Sequence, residues 1–186
     1  MINADASNGP VKPRLATVWL DGCSGCHMSF LDLDEQLVDI CLRADLVYSP
    51  LVDAKTFPEQ VDVTLVEGAV SSEEDLEKIK RIRAHTKFLV SLGDCAVTGN
   101  VPSMRNPFGA RAILQRAYIE NVTLNPQIPD RVVPRLLERV VPVHTVVKVD
   151  VFVPGCPPSA ETIGYVVNEL LDGRIPDLSG RTRLGA

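Results

Sequence analysis

Four short apolar runs, each broken off at a glycine, constrain this chain more than any other feature. Residues 15–20 (LATVWL) stop at Asp21-Gly22, residues 61–66 (VDVTLV) at Glu67-Gly68, residues 87–92 (KFLVSL) at Gly93, and residues 146–153 (VVKVDVFV) at Pro154-Gly155. Runs of this length, rich in β-branched residues and closed by turn formers, predict buried strands. A further short strand is expected at residues 46–48. Between the strands the apolar period lengthens to three and four residues, which predicts helices.

From Ser29 onward Phe30, Leu33, Leu37, Val38 and Cys41 fall in step on one helical face, so Cys41 is expected to be a small buried apolar residue. Ser71 and Ser72 precede Glu73, Glu74 and Asp75, a helix start with acidic side chains at the positive end of the dipole, and this helix is expected to end at Ala84. Residues 109–119 (GARAILQRAYI) and 161–171 also have helical spacing. Strands alternating with helices predict an α/β domain built on a doubly wound parallel sheet, whose sites form at the carboxyl ends of the strands. Residues 100–143 are proline-rich without a clear period and read as a long excursion. Residues 1–13 read as a flexible N-terminal arm, residues 14–186 as the domain, and the tail past Gly173 as irregular.

At 186 residues the chain can bury about two thirds of its unfolded surface in one core. The formal net charge is -5 and the basic residues are scattered rather than striped, which gives no electrostatic footprint for nucleic acid. No apolar run reaches the roughly 18 residues of a membrane span, and the opening MINADASNGPVK lacks the order of a secretory signal. A cytoplasmic protein with no membrane partner is expected.

Five cysteines in such a chain point to metal or catalysis rather than disulfides. Cys23-Ser24-Gly25-Cys26 is a C-x-x-C that by itself fits a thiol–disulfide pair, half a zinc site or half an iron–sulfur site. Zinc knuckles bring cysteines in two close pairs, whereas Cys95 and Cys156 are single and stand on separate glycine-marked strand ends. Four thiolates meeting at strand ends suit an iron–sulfur cluster, whose ligands are usually cysteines. Gly22, Gly25, Gly93 and Gly155 flank these cysteines and would let backbone approach such a group, and Pro157 and Pro158 withdraw two N–H donors beside it. The same residues also serve as ordinary turn formers.

The runs WLDGCSGCHMSFLDLDE, VEGAVSSEED, SLGDCAVTGNVPSMRN and FVPGCPPSAETI closely resemble the small subunit of nickel-iron hydrogenases, and specifically the soluble, NAD-reducing, bidirectional group, over about residues 15–172. The resemblance implies a flavodoxin-like fold and one 4Fe-4S cluster, proximal to the nickel-iron centre, on Cys23, Cys26, Cys95 and Cys156. It also implies that the Ni-Fe centre, FMN and NAD sit on partner subunits, namely a large subunit and diaphorase subunits with iron–sulfur clusters and flavin. The quinone-linked iron–sulfur subunit of complex I shares the G-C-P-P ending but has adjacent first cysteines, where this chain has Ser24-Gly25 between them.

Two residues beside these motifs invite a role. Glu67 ends its strand at Glu67-Gly68 and is a candidate proton relay, against the plainer reading of a helix-capping or hydrogen-bonded acid at a strand end. His27 follows Cys26 directly and either donates to a sulfide, faces a partner, or is an ordinary surface or core histidine.

Overall fold

The LATVWL run forms β1 (Arg14–Trp19), the second strand of the main sheet, in a computed structural model that describes residues 11–185. The chain continues through α1 (Gly25–Leu31), α2 (Glu35–Arg43), β2 (Asp45–Tyr48), β3 (Val61–Glu67), β4 (Val70–Ser72) and α3 (Glu73–Ala84). It then runs through β5 (Thr86–Leu92), α4 (Gly93–Thr98), α5 (Ala110–Gln115), β6 (Leu136–Val141), β7 (Val151–Val153) and α6 (Ala160–Leu171). The main sheet is five-stranded in the order β2-β1-β3-β5-β7, and every neighbouring pair is parallel. With β4 and β6 set apart, this is the doubly wound order of flavodoxin-like folds.

Alternation along the strands divides the core in two. Leu15, Val63, Leu65, Val90, Leu92, Val151 and Val153 pack with Phe30, Leu33 and Ile40, and with Ile163, Val166, Val167 and Leu170 of α6. Ala16, Val18, Val66 and Leu89 pack on the opposite side with Ile79 and Ile82 of α3, Ala96 of α4 and Val143. The start of α3 is a capping box: the Ser72 hydroxyl accepts the Asp75 N–H at 3.1 Å, and the Asp75 carboxylate accepts the Ser72 N–H at 3.0 Å. Two otherwise unpaired helix donors are satisfied together.

Three expectations are corrected. The single helix expected from Ser29 is two, because the chain turns at Asp34 with φ 48°, and this resets the helical phase. The inward side of the second helix carries Ile40 and the half-buried Leu37, while Cys41 is exposed and Val38 is 61% exposed. Cys41 is therefore a surface residue, not a core one. The strand expected over residues 146–153 shrinks to β7, since Val146, Val147 and Val149 pack against the core outside the sheet. Inside the proline-rich excursion β6 pairs antiparallel with β4, Val70 opposite Val141 and Ser72 opposite Leu136, a ribbon that no period in the sequence announced.

Residues 1–10 of the expected arm lie outside the described residues; Pro13 accepts the Asp45 N–H at 2.9 Å through its carbonyl. Beyond Gly173 the tail is irregular, as expected.

Candidate metal centre

The register of the sheet aligns the strand ends. Trp19 pairs with Glu67, Glu67 with Leu92, and Leu92 with Val153, one row across β1, β3, β5 and β7. Parallel strands all leave such a row on the same side, so the loops that follow must share one end of the sheet. These connections carry Cys23 in the turn after β1, Cys26 in the first turn of α1, Cys95 in the first turn of α4 after β5, and Cys156 in the loop after β7.

Side-chain and backbone contacts tie the loops together. The Asp94 carboxylate accepts the Gly155 N–H at 2.8 Å, and the Asp94 N–H donates to the Gly155 carbonyl at 2.9 Å. The Cys95 loop is thus bolted to the Cys156 loop. The other Asp94 oxygen accepts the Gly185 N–H at 2.7 Å, which brings the tail onto the same support. Ser29 of α1 donates to the Pro158 carbonyl at 2.6 Å and joins the Cys26 helix to the Cys156 loop. Gly93 adopts φ +81°, and a Cβ there would stand 2.2 Å from the Cys26 sulfur. Glycine at this position leaves room for the Cys26 sulfur, where a Cβ would force the sulfur or the backbone to shift.

Cys26 and Cys95 are buried, and Cys23 and Cys156 are exposed. Burial, then the Glu67 carboxylate and the other three thiols, push the Cys26 thiol far above the ordinary thiol range. Burial also pushes Cys95 up to about 11; the Val101 backbone N–H opposes it, and Cys23, Cys156 and Glu67 add to it. The Cys26 and Cys95 thiols thus each feel Glu67 and the thiols of Cys23 and Cys156. Thiols in this setting ionise when a bound cation compensates their charge. Among the described residues no three His, Cys, Asp or Glu side chains are grouped to hold a single metal ion. What the loops offer is four sulfur donors around a shared region, a donor set that fits an iron–sulfur cluster.

Glu67 and His27, which the sequence offered as separate candidates, form a buried pair. The carboxylate of Glu67 accepts from the His27 backbone N–H at 3.0 Å and from its ring Nδ1. The ring Nε2 is buried without a hydrogen-bond partner. Sequence reasoning missed Asp94 as the link between loops and Asn100, whose side-chain amide donates to the Cys156 sulfur at 3.5 Å. A polar residue beside a cysteine was the available signal in one case, and a residue following Gly99 in the other. Neither reveals its partner before the chain is folded.

No helix among the described residues is long and apolar enough to cross a membrane. Residues 23–170 match the family described as NADH ubiquinone oxidoreductase, 20 Kd subunit. The chain is 42% identical over 180 residues to the NAD-reducing hydrogenase HoxS subunit delta of Cupriavidus necator, covering 93% of this chain and 85% of that one. It is 38% identical over 167 residues to a subunit of the F420-non-reducing hydrogenase of Methanothermobacter marburgensis, covering 87% of this chain and 54% of the relative, so it spans about half of that longer protein. Among solved structures, a chain of an NAD+-reducing NiFe hydrogenase in the H2-reduced state superposes with a TM-score of 0.88 at 39% identity, covering 92% of this chain and 98% of that one. The chain belongs to the NADH ubiquinone oxidoreductase, 20 Kd subunit family, and within it to the hydrogenase small subunits.

Proposed function

We propose that this chain is the electron-transfer small subunit of a cytoplasmic NAD-reducing nickel-iron hydrogenase, with Cys23, Cys26, Cys95 and Cys156 holding one 4Fe-4S cluster. The observation that carries the reading is the convergence of four thiols from three strand-end loops onto one end of the sheet. A bound 4Fe-4S cluster supplies one-electron transfer. The protein's own residues do the rest. The Asp94–Gly155 link fixes the spacing between the Cys95 and Cys156 loops, and Gly93 leaves room for the Cys26 sulfur. Burial of Cys26 and Cys95 keeps bulk water from two of the four sulfurs.

In this reading the Ni-Fe centre lies on a large subunit, and FMN and NAD on diaphorase subunits that carry further iron–sulfur clusters. Trp19, Met28, Val101, Met104 and Phe108 are exposed on segments that follow the carboxyl ends of β1 and β5, or stand at them. Large apolar side chains gathered on such segments suit burial against a partner. Glu67, beside the thiols and buried with His27, is the candidate for relaying protons from the same face.

Anaerobic purification of the full chain with its native partners tests the reading. About four irons and four acid-labile sulfides per chain are expected, together with a nickel-containing large subunit and flavin. Stoichiometric zinc without iron, or co-purification with a membrane quinone-linked assembly, would overturn it.

A further inference from the structure

The excursion between β5 and β7 ends in a use that the four-cysteine reading does not account for. Immediately after α4 the chain passes through Gly99 at φ +90° and Asn100 at φ 27°, two consecutive residues in the left-handed half of backbone space. With ψ at -123° Asn100 lies outside the left-handed helical region that asparagine favours, and such a strained non-glycine position persists only where its surroundings impose it. Here they do. Ser103 donates to the Asn100 carbonyl through its hydroxyl at 2.7 Å and its N–H at 3.1 Å. Arg105 donates to the carbonyls of Ser71 at 3.1 Å, Leu137 at 2.8 Å and Glu138 at 3.3 Å. The Asn106 side chain donates to the Val140 carbonyl at 2.9 Å and accepts the Val140 N–H at 2.7 Å. The β4–β6 ribbon is thus an anchor for the turn that follows Cys95.

What the anchored turn presents is a donor: the Asn100 side-chain amide reaches the Cys156 sulfur at 3.5 Å, a distance suited to N–H···S. Pro157 and Pro158 follow Cys156 and offer it no N–H of their own. Among the described residues Asn100 gives the one side-chain hydrogen bond to any of the four sulfurs.

We propose that Asn100 is a positioning residue for the redox centre, whose amide donates to the Cys156 sulfur and raises the reduction potential of the cluster held there. The inference rests on the four-cysteine reading. An added electron increases negative charge on the ligand sulfurs, and a donor aimed at one of them stabilises the reduced state more than the oxidised one. Removing the donor lowers the midpoint potential. Reversing it to an acceptor carboxylate lowers it further.

The test uses the full-length chain in its purified complex, as wild type, Asn100→Gly and Asn100→Asp. Glycine adopts a positive φ freely and aspartate has the shape of asparagine, so neither replacement adds backbone strain to what Asn100 already carries. Iron and sulfide are counted first, and the midpoint potential is then followed by EPR in a redox titration. The expected order is wild type highest, Asn100→Gly lower and Asn100→Asp lowest, at unchanged iron content. Equal potentials, or the reverse order, overturn the role of Asn100 while leaving the four cysteines in place. A wild type without iron overturns both. If the variants lose iron, pulsed EPR of wild type labelled with 15N-asparagine decides: coupling of a side-chain nitrogen to the reduced cluster supports the inference, and its absence sinks it.

Discussion

Glu67 at the end of β3 holds His27 at the start of α1 through two hydrogen bonds to one carboxylate oxygen, with both residues buried. The bond to the backbone N–H fixes the first turn of the helix that carries Cys26, and the bond to Nδ1 fixes the ring. Changing Glu67 to alanine leaves two buried donors without an acceptor and is expected to cost about 3 kcal/mol. Glu67→Gln retains an acceptor oxygen and should cost less than half as much. Denaturant unfolding of both variants measures the difference, and equal losses would show that the bonds to His27 are not what matters.

The two kinds of cysteine should separate cleanly. Cys95→Ala removes a sulfur that no neighbouring cysteine can replace, so on the proposed function iron content should fall and NAD reduction by dihydrogen should stop. Cys41→Ala changes an exposed side chain, which places its cost within about 0.5 kcal/mol and leaves iron unaltered. Iron analysis of the two purified variants checks both; an iron-depleted Cys41→Ala protein beside an iron-replete Cys95→Ala protein would reverse the ligand assignment.

Gly93→Ala tests the packing of the loops without touching a thiol. The new methyl would sit 2.2 Å from the Cys26 sulfur, at a backbone angle that alanine adopts poorly. The sulfur or the Gly93 loop must move. The variant should fold with a lowered melting temperature and take up less iron than wild type on anaerobic reconstitution, and full iron occupancy would contradict the geometry.

Asp150 gives a stability signal that depends on pH. Burial opposes its ionisation, but the Leu89 N–H at 2.9 Å and the Arg83 guanidinium at 2.5 Å outweigh burial and hold the carboxyl below its ordinary value of 3.8. A lowered carboxyl pKa contributes stability that is present above the ordinary value and lost as pH falls through the lowered one. Asp150→Asn should therefore cost about 1 kcal/mol at neutral pH, after allowance for solvent screening, with the gap to wild type closing below pH 3.8. A gap that stayed constant into strong acid would show that ionisation of Asp150 has no part in it.

Strand ends, helix caps and the identity of the thiol-bearing loops are local properties, which is why they were legible in the sequence. A β-branched run closed by Gly22, Gly68, Gly93 or Gly155 reports its own end, and Ser72 with Asp75 reports its own helix start three residues away. Alternation of strand and helix then implied a parallel sheet, and with it a common end for the loops of Cys23, Cys26, Cys95 and Cys156. Helical period also placed Cys41 with Phe30 and Leu33, and failed, because one residue at φ 48°, Asp34, rotates everything after it and its backbone angle is set by the packing on either side. The Glu67–His27 pair, the Asp94–Gly155 link and the reach of Asn100 to Cys156 span 40, 61 and 56 residues of chain. No periodicity connects residues at such separations, and only the register of β1, β3, β5 and β7 brings them together. The sequence by itself determined which chemical groups stand at the end of the sheet, because turn chemistry is local; the tertiary structure decided which of them touch, because contact depends on register and packing.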